Sequence, residues 1–360
     1  TILAGEVEGS LVRLYQKLSH GAGTDDGDEV ALAKQRFRVP NRKGLPELSR
    51  YATLNAGGGH QKVVGYTEAT RGCKHFCRHC PVVPTYQGRF FVVESNVVLK
   101  DIRQQVDAGA QHITFGDPDF FNGPGHAMRL AEAFHAEFPN VTYDATIKVE
   151  HLLAHRDKLV RLAETGCLFV TTAVEEVDDT VLAKLDKGHT RADFIEVVES
   201  TRAAGLMLSP TFIPFHPWTT PTGFLDLLTL LVELDLIENV APVQLTIRLL
   251  IPNGSRILEL DEMAHYLSGF DAEKLSHIWT PADPRSDHLQ AKVQDAVRQG
   301  EREGAGRWNV FQRVWELTHT ACGRTATALP PVCADIRPVA AMTEPWYCCA
   351  EPTEEQIARA

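Results

Sequence analysis

Hydrophobic and polar positions change rhythm along this chain. From residue 62, short β-branched runs alternate with longer stretches whose apolar residues recur every three or four positions, the pattern of βα units. The runs predict strands at Val63–Thr67, His112–Phe115, Val141–Ile147, Leu168–Ala173, Met207–Ile213 and Pro242–Leu250. The intervening stretches predict helices over Asn96–Ala108, Gly125–Phe138, Val149–Thr165, Val177–Leu185, Ala192–Ala204 and Gly223–Leu234. Six such units assemble most naturally as an α/β fold, a parallel sheet curved into a partial (β/α)6 TIM-like barrel. The chemistry of such barrels gathers at the C-terminal strand ends.

The flanks read differently. Residues 1–61 hold one helical pattern, Leu11, Leu14, Tyr15 and Leu18, then the polar stretch Gly21–Asp28 and a loop-rich segment ending in Gly57-Gly58-Gly59, which suits a helical N-terminal cap. The barrel is expected over 62–255 and an extension over 256–360. Within the extension, 284–303 and 307–320 read as helices, and the Pro- and Cys-bearing stretch 328–352 as an irregular tail packed on the barrel mouth.

At 360 residues, 44% hydrophobic and 23% charged, the chain has ample apolar content for a folded core. Its net charge of −11 disfavours attraction to a phosphate backbone, so no nucleic-acid partner is expected. Apolar runs such as Leu227–Leu234 and Val243–Ile251 are too short to span a bilayer, so no membrane partner is expected either. Thr1–Ser10 contains two Glu and no Lys or Arg, unlike a secretory signal, and the cytoplasm is the expected location.

Eight cysteines are too few for a disulfide scaffold, and they cluster: Cys73, Cys77 and Cys80, then Cys167 alone, then Cys322, Cys333, Cys348 and Cys349. Cys167 lies in the apolar run Cys167-Leu168-Phe169-Val170 and reads as a small buried hydrophobe. The first three, in Arg71-Gly72-Cys73-Lys74-His75-Phe76-Cys77-Arg78-His79-Cys80-Pro81, have the spacing C-x3-C-x2-C directly after the first strand. Three thiolates in one loop can hold three irons of a [4Fe-4S] cubane and leave the fourth open to substrate. The competing readings are a zinc site completed by His75 or His79, and a chance cluster of thiols.

With this triplet after its first strand, the stretch 62–255 resembles the radical SAM superfamily, whose motif C-x3-C-x-φ-C opens a partial (β/α)6 barrel. The resemblance implies that Cys73, Cys77 and Cys80 hold a [4Fe-4S] cluster. It also implies that the open iron binds S-adenosylmethionine (SAM), and that an electron donor such as flavodoxin or ferredoxin serves the cluster. The residue before the last cysteine is usually aromatic and lies near the adenine; here it is His79, whose flat ring can still stack. Gly116 and Asp117, in Gly116-Asp117-Pro118-Asp119, stand where the family has a Gly-Gly-Glu-like turn near the SAM amino group. Lys148 and Glu150 close the third strand, and Glu175 the fourth, as candidates for the SAM carboxylate and ribose; for each, a solvated strand end is the alternative. Arg248, on the sixth predicted strand, is costly to bury unpaired and faces either a SAM or substrate carboxylate or a structural salt bridge. Asp186-Lys187-Gly188-His189-Thr190 resembles the Lys-Gly turn of methylthiotransferase-like radical SAM proteins.

The ending Trp346-Tyr347-Cys348-Cys349-Ala350-Glu351-Pro352 resembles the CUAEP/CCAEP-tail radical SAM (seleno)protein group, some members of which carry selenocysteine where Cys349 stands. That group is associated with arsenic natural-product biosynthesis. The resemblance therefore implies transfer of the 3-amino-3-carboxypropyl group of SAM to As(III), with arsenite as the substrate. As(III) is soft and favours pyramidal three-sulfur coordination. Cys348 and Cys349, joined by Cys333 or alternatively Cys322, suit it as catalytic ligands. An auxiliary cluster, a redox pair or inert packing are the other roles for these thiols. Two further readings of the whole chain stand beside this one: a 5′-deoxyadenosyl-radical enzyme acting on an organic substrate, and a metalloid-binding iron–sulfur sensor or chaperone.

Overall fold

The computed structural model describes residues 2–21, 23, 27, 29–57, 60–331, 339–344 and 350–351. Five parallel strands carry the fold: β1 (Gln61–Thr67), β2 (His112–Phe115), β3 (Thr142–Thr146), β4 (Cys167–Glu175) and β5 (Met207–Phe212). They line up in the order β5-β4-β3-β2-β1. Thr53–Asn55 adds antiparallel beside β1, and Ala341–Met342 antiparallel beside that, giving a curled seven-stranded half-barrel among the described residues.

Period-two alternation sorts the two faces of the sheet. Ile113, Phe115, Tyr143, Ala145, Val170 and Leu208 point into the main core, whereas Thr114, Thr146, Thr171 and Thr211 line the concave side. Covering helices are α1 (Ser95–Asp107), α2 (Pro124–Glu137), α3 (Val149–Ala154), α4 (Leu159–Glu164), α5 (Asp179–Leu185), α6 (Arg191–Ala203) and α7 (Pro221–Glu233). Their starts are written in the sequence. Asp178 caps α5, Thr190 and Asp193 form a capping box on α6, and Thr220 caps α7 with Pro221 in its first turn.

Two expected elements change. The helix expected over Val149–Thr165 breaks at the polar turn Arg156–Lys158 into α3 and α4. The sixth strand, expected over Pro242–Leu250, is instead a 3-10 turn, Pro242–Leu245, followed by a parallel bridge of Arg248 to Phe215. Proline in its first turn favours the helical start, and the buried Gln244 side chain, not a backbone carbonyl, accepts from Phe212 N at 3.1 Å.

In the extension, α8 (Arg285–Glu303) and α9 (Arg307–Ala321) share the main core through Leu289, Val293, Val297, Val310, Phe311 and Val314. α7 buries the face that carries its run of leucines and exposes Thr222, Asp226 and Glu233, and α8 and α9 pack against it. Between the barrel and α8 the chain forms an antiparallel pair that sequence periodicity did not mark, Leu267–Asp271 with Ser276–Trp279. At the N-terminus, the helix Glu8–Ser19 forms as expected, but Leu11, Tyr15 and Leu18 on its apolar stripe are exposed. The buried Glu6 and the nearby Glu8 instead meet Arg71, which also pairs with Glu68, so the segment docks by charge beside the cysteine loop.

Candidate active site

The cysteine loop leaves β1 through a short arm, Thr70–Gly72, paired antiparallel with Phe90–Val92. Gly72 has φ of +78°, and a Cβ there would lie 2.4 Å from Tyr86 and 2.5 Å from the Arg89 carbonyl, so only glycine admits this turn into Cys73. Asn122 clamps both sides of Cys73: its amide donates to Gly72 O at 3.1 Å and its carbonyl accepts from Lys74 N at 3.2 Å. Farther along, Arg78 N donates to Leu185 O at 2.8 Å, and Ile257 N and Ser255 Oγ both donate to Arg78 O at 3.0 Å. Arg256 reaches Phe76 O at 2.7 Å. The loop is thus held from α2's entry, α5 and the turn after residue 252, which fixes the thiols in place before any ligand arrives. Burial pushes the Cys73 thiol up to about 11, so its ionisation needs cationic company.

Lys148 supplies such company for Cys73; Lys187, which was not among the residues singled out for the site, supplies it for Cys77 and Cys80. Burial opposes its charge, but Glu175 together with Cys77 and Cys80 raises its pKa and keeps the ammonium protonated. Lys187 Nζ and His79 Nε2 each lie 3.2 Å from Glu175 Oε1. Glu175 sits at a register shift between β4 and β5 with φ of +70°, a strained placement that turns its carboxylate toward the loop. Burial opposes ionisation there too, but Lys187 and His79 outweigh it and hold Glu175 down to about 2. His79 is pushed below the usual imidazole range by burial, despite Glu175.

Lys148 and Glu150 lie together at the end of β3, 3.2 Å apart. The Lys148 charge acts on Cys73, His79 and His189, which puts it among the loop and the neighbouring strand ends. His189, also missed, is buried and driven down to about 4 by that burial and by Lys187. The signal for both was the Lys187-Gly188-His189 turn, but a buried lysine and a surface one look alike in sequence.

Gly116 and Asp117 close β2 as expected, and their contacts are specific. Asp117 accepts from Ala69 N at 2.9 Å and Thr70 Oγ1 at 2.6 Å, so its carboxylate braces the arm leading to Cys73. Burial pushes it up to about 7 against those two hydrogen bonds. A Cβ on Gly116 would lie 2.0 Å from the Tyr66 hydroxyl and 2.1 Å from its ring, which explains glycine there. Arg248 is placed away from this group: it pairs with Asp287 and, at 3.0 Å, with Glu351, and its guanidinium stacks 3.6 Å over Trp279. Of the two roles expected for it, the structure shows the salt bridge.

Cys322 caps α9 and packs against the main core, and Cys167 is buried in that core. Cys333, Cys348 and Cys349 lie outside the described residues. Ala350, which follows Cys349 in the chain, bridges antiparallel to Leu249, and Glu351 N donates to Arg248 O at 2.9 Å. Because Leu249 and Arg248 lie beside Phe215, past the C-terminal end of β5, this contact is on the rim that carries the cysteine loop.

Beneath the strand ends, the concave face encloses a cavity of about 840 Å³ lined by Tyr66, Asp117, Thr146, Thr171, Thr211 and Gln244, among others. The donor set of the cysteine loop and the neighbouring strand ends suits an iron–sulfur cluster and a zwitterionic ligand. Three soft sulfurs come from one pinned loop, and polar atoms without protein partners, His79 Nδ1 and both His189 ring nitrogens, are buried beside a Lys–Glu pair.

A half-barrel with a three-thiol loop at its C-terminal rim defines a class of iron–sulfur enzyme. Residues 67–231 match the Radical SAM superfamily, and the chain carries a domain of that family; its cofactors are a [4Fe-4S] cluster and SAM. In sequence it is similar to the tRNA-2-methylthio-N(6)-dimethylallyladenosine synthase of Geobacter sulfurreducens, 26% identical over 192 residues, covering 49% of this chain and 41% of that protein. The enzyme of the same name from Fusobacterium nucleatum is 27% identical over 173 residues, covering 44% and 38%. The matched stretch thus spans under half the length of these relatives. In structure it is similar to the cobalamin-dependent SAM radical enzyme OxsB, with a TM-score of 0.65 at 13% identity, covering 87% of this chain and 56% of that one. It is also similar to the radical SAM methyltransferase TsrM of Kitasatospora setae, with a TM-score of 0.59 at 17% identity, covering 82% and 66%. At these identities the structural likenesses speak to the fold. Among the described residues, no helix is long and apolar enough to cross a membrane.

Proposed function

We propose that this chain is a radical SAM enzyme that forms a carbon–arsenic bond, transferring the 3-amino-3-carboxypropyl group of SAM to As(III) held by its tail thiols. The observation that carries the reading is the docking of Ala350 and Glu351, the residues that follow Cys348-Cys349, on the same barrel rim as the cysteine loop. Cys349 and Cys348 precede that anchorage by one and two residues in the chain. A bound cluster and SAM would supply one-electron cleavage of a sulfonium carbon–sulfur bond; overall the transfer would consume two electrons from the donor, release 5′-methylthioadenosine, and exchange one sulfur or oxygen ligand of As(III) for the new carbon–arsenic bond.

The chain's own residues supply the rest. Cys73, Cys77 and Cys80 hold the cluster, and Lys187 offsets the negative charge of the loop. His79 and Glu175, fixed by their mutual contact, face the adenosine side, and Lys148 offers a cation to the SAM carboxylate. Cys348, Cys349 and Cys333 present arsenite, and Arg248 anchors the tail through Glu351.

A second reading, a 5′-deoxyadenosyl-radical enzyme acting on an organic substrate, is favoured by the 840 Å³ lumen, which is far larger than arsenite needs. Cys349→Ala separates the two. It leaves the cluster intact, and on the proposed function it lowers arsenite affinity and arsenical yield. Unchanged arsenical yield removes the tail from the reaction.

A further inference from the structure

A second group of metal-ligating side chains converges from three elements. His75 lies in the loop between Cys73 and Cys77, Asp119 follows β2, and His151 is in α3. The Nε2 atoms of the two histidines face each other at 3.2 Å. Asp119 Oδ2 lies 2.6 Å from His151 Nδ1 and 3.7 Å from His75 Nε2. Asp119 and His151 are buried, and the His75 side chain is only 16% exposed.

Asp119 divides its two oxygens. Oδ1 accepts from Phe121 N at 3.1 Å and caps the short 3-10 turn Phe120–Asn122. Oδ2 is aimed at the histidines, yet neither it nor His151 Nδ1 has a hydrogen bond of sound geometry. A fully buried carboxylate oxygen without a partner is costly, and a cation is one way to satisfy it. One ligand atom from each residue can be chosen so that all three lie within 4.8 Å of one another. In a tetrahedral site with ordinary zinc–nitrogen bonds, ligand atoms stand about 3.3 Å apart; with His151 binding through Nε2, two edges of the triangle, 3.2 and 3.7 Å, stand near that value, and the third, from His151 to Asp119, lies within 4.8 Å. The far nitrogen of His75, Nδ1, faces Glu150 Oε2 at 3.7 Å, and Lys148 holds that carboxylate in turn. A carboxylate behind a ligating imidazole is the usual outer partner of a metal site.

We propose that His75, Asp119 and His151 form a mononuclear site for a divalent first-row transition ion, separate from the three-thiol cluster site and with at least one open coordination position. Two imidazoles and a carboxylate suit Zn(II), Fe(II) or Co(II). An ion there ties the cysteine loop to the connection after β2 and to α3, and it sets a Lewis acid beside the cluster loop.

The test is an anaerobic Co(II) titration of the cluster-reconstituted protein, because nitrogen- and oxygen-ligated Co(II) lacks the thiolate-to-metal charge-transfer absorption of sulfur-ligated Co(II). The expected result is one Co(II) per chain with no such band, bound at least about 10-fold more weakly in His151→Ala and His75→Gln. The same titration on Cys73→Ala/Cys77→Ala/Cys80→Ala protein separates loss of the site from loss of the cluster, and far-UV circular dichroism checks each variant's fold. His75→Gln, in a pinned but partly exposed loop, serves if the buried substitution fails to fold. Absence of nitrogen- and oxygen-ligated Co(II) overturns the proposal and leaves an Asp119–His151–His75 proton relay, as does equal binding by folded His75→Gln.

Discussion

Replacing Lys187 with methionine probes the electrostatic core of the site. The substitution keeps most of the side-chain volume but leaves Glu175 buried with only the His79 contact of the two that hold its Oε1. Glu175 is lowered from 4.5 to about 2, and the charge of Lys187 is the largest single influence that lowers it. At 1.36 kcal/mol per pH unit this depression corresponds to about 3 kcal/mol, the lower end of the ~3–5 kcal/mol lost when one partner of a buried pair is removed. At up to ~2 °C per kcal/mol for a chain of this length, thermal unfolding of Lys187→Met at pH 7 is expected to shift down by as much as about 6 °C. The sign with pH follows from the depressed carboxyl. Its stabilisation is fully present above pH 4.5 and is lost as pH falls toward 2, so the gap between wild type and variant narrows on acidification. Glu175→Gln completes a double-mutant cycle in which the double variant loses less than the two singles together. Melting within about 1 °C of wild type at pH 7, or strict additivity in the cycle, refutes the coupling.

Three further outcomes follow from the loop. Cys77→Ala abolishes cluster assembly and SAM cleavage, measured as iron and sulfide content and nucleoside release; cleavage that persists removes the cysteine triplet from the reaction. Asn122→Ala leaves the backbone groups on either side of Cys73 without their clamp, which costs about 1–3 kcal/mol for each group left unpaired; the expected readout is lower cluster occupancy after reconstitution. Asp117 is raised from 3.8 to about 7, so its neutral form stabilises the fold below pH 3.8 and that contribution is lost as pH rises through 7. Asp117→Asn lacks this titration, so its stability relative to wild type improves by up to about 4 kcal/mol between pH 4 and pH 8; a pH-independent difference in denaturant midpoint contradicts it.

The barrel was legible where single strands bury one face on helices. β1 to β5 fall within two residues of the β-branched runs that predict them, because that burial forces the pattern into the sequence. The sixth position was not legible: Pro242-Val243-Gln244-Leu245 has a strand's composition, but Gln244 substitutes a side-chain acceptor for a backbone one and the chain coils. The three thiols announced themselves by spacing. Lys187, His189, Asp119 and His151 did not, because their meaning depends on burial and on neighbours from distant elements, as in the meeting of Asp119 with His151. Arg248 was legible as a residue in need of a partner, but its partners Asp287 and Glu351 come from the extension, far along the chain.

The central claim is that the cysteine loop and the tail act together on SAM and As(III). The most direct test is anaerobic incubation of the reconstituted protein with SAM, a reductant and arsenite, followed by mass spectrometry of the nucleoside and arsenic products. The account predicts 5′-methylthioadenosine together with an aminocarboxypropyl arsenical. Release of 5′-deoxyadenosine with arsenite unchanged contradicts it and directs the radical to an organic substrate.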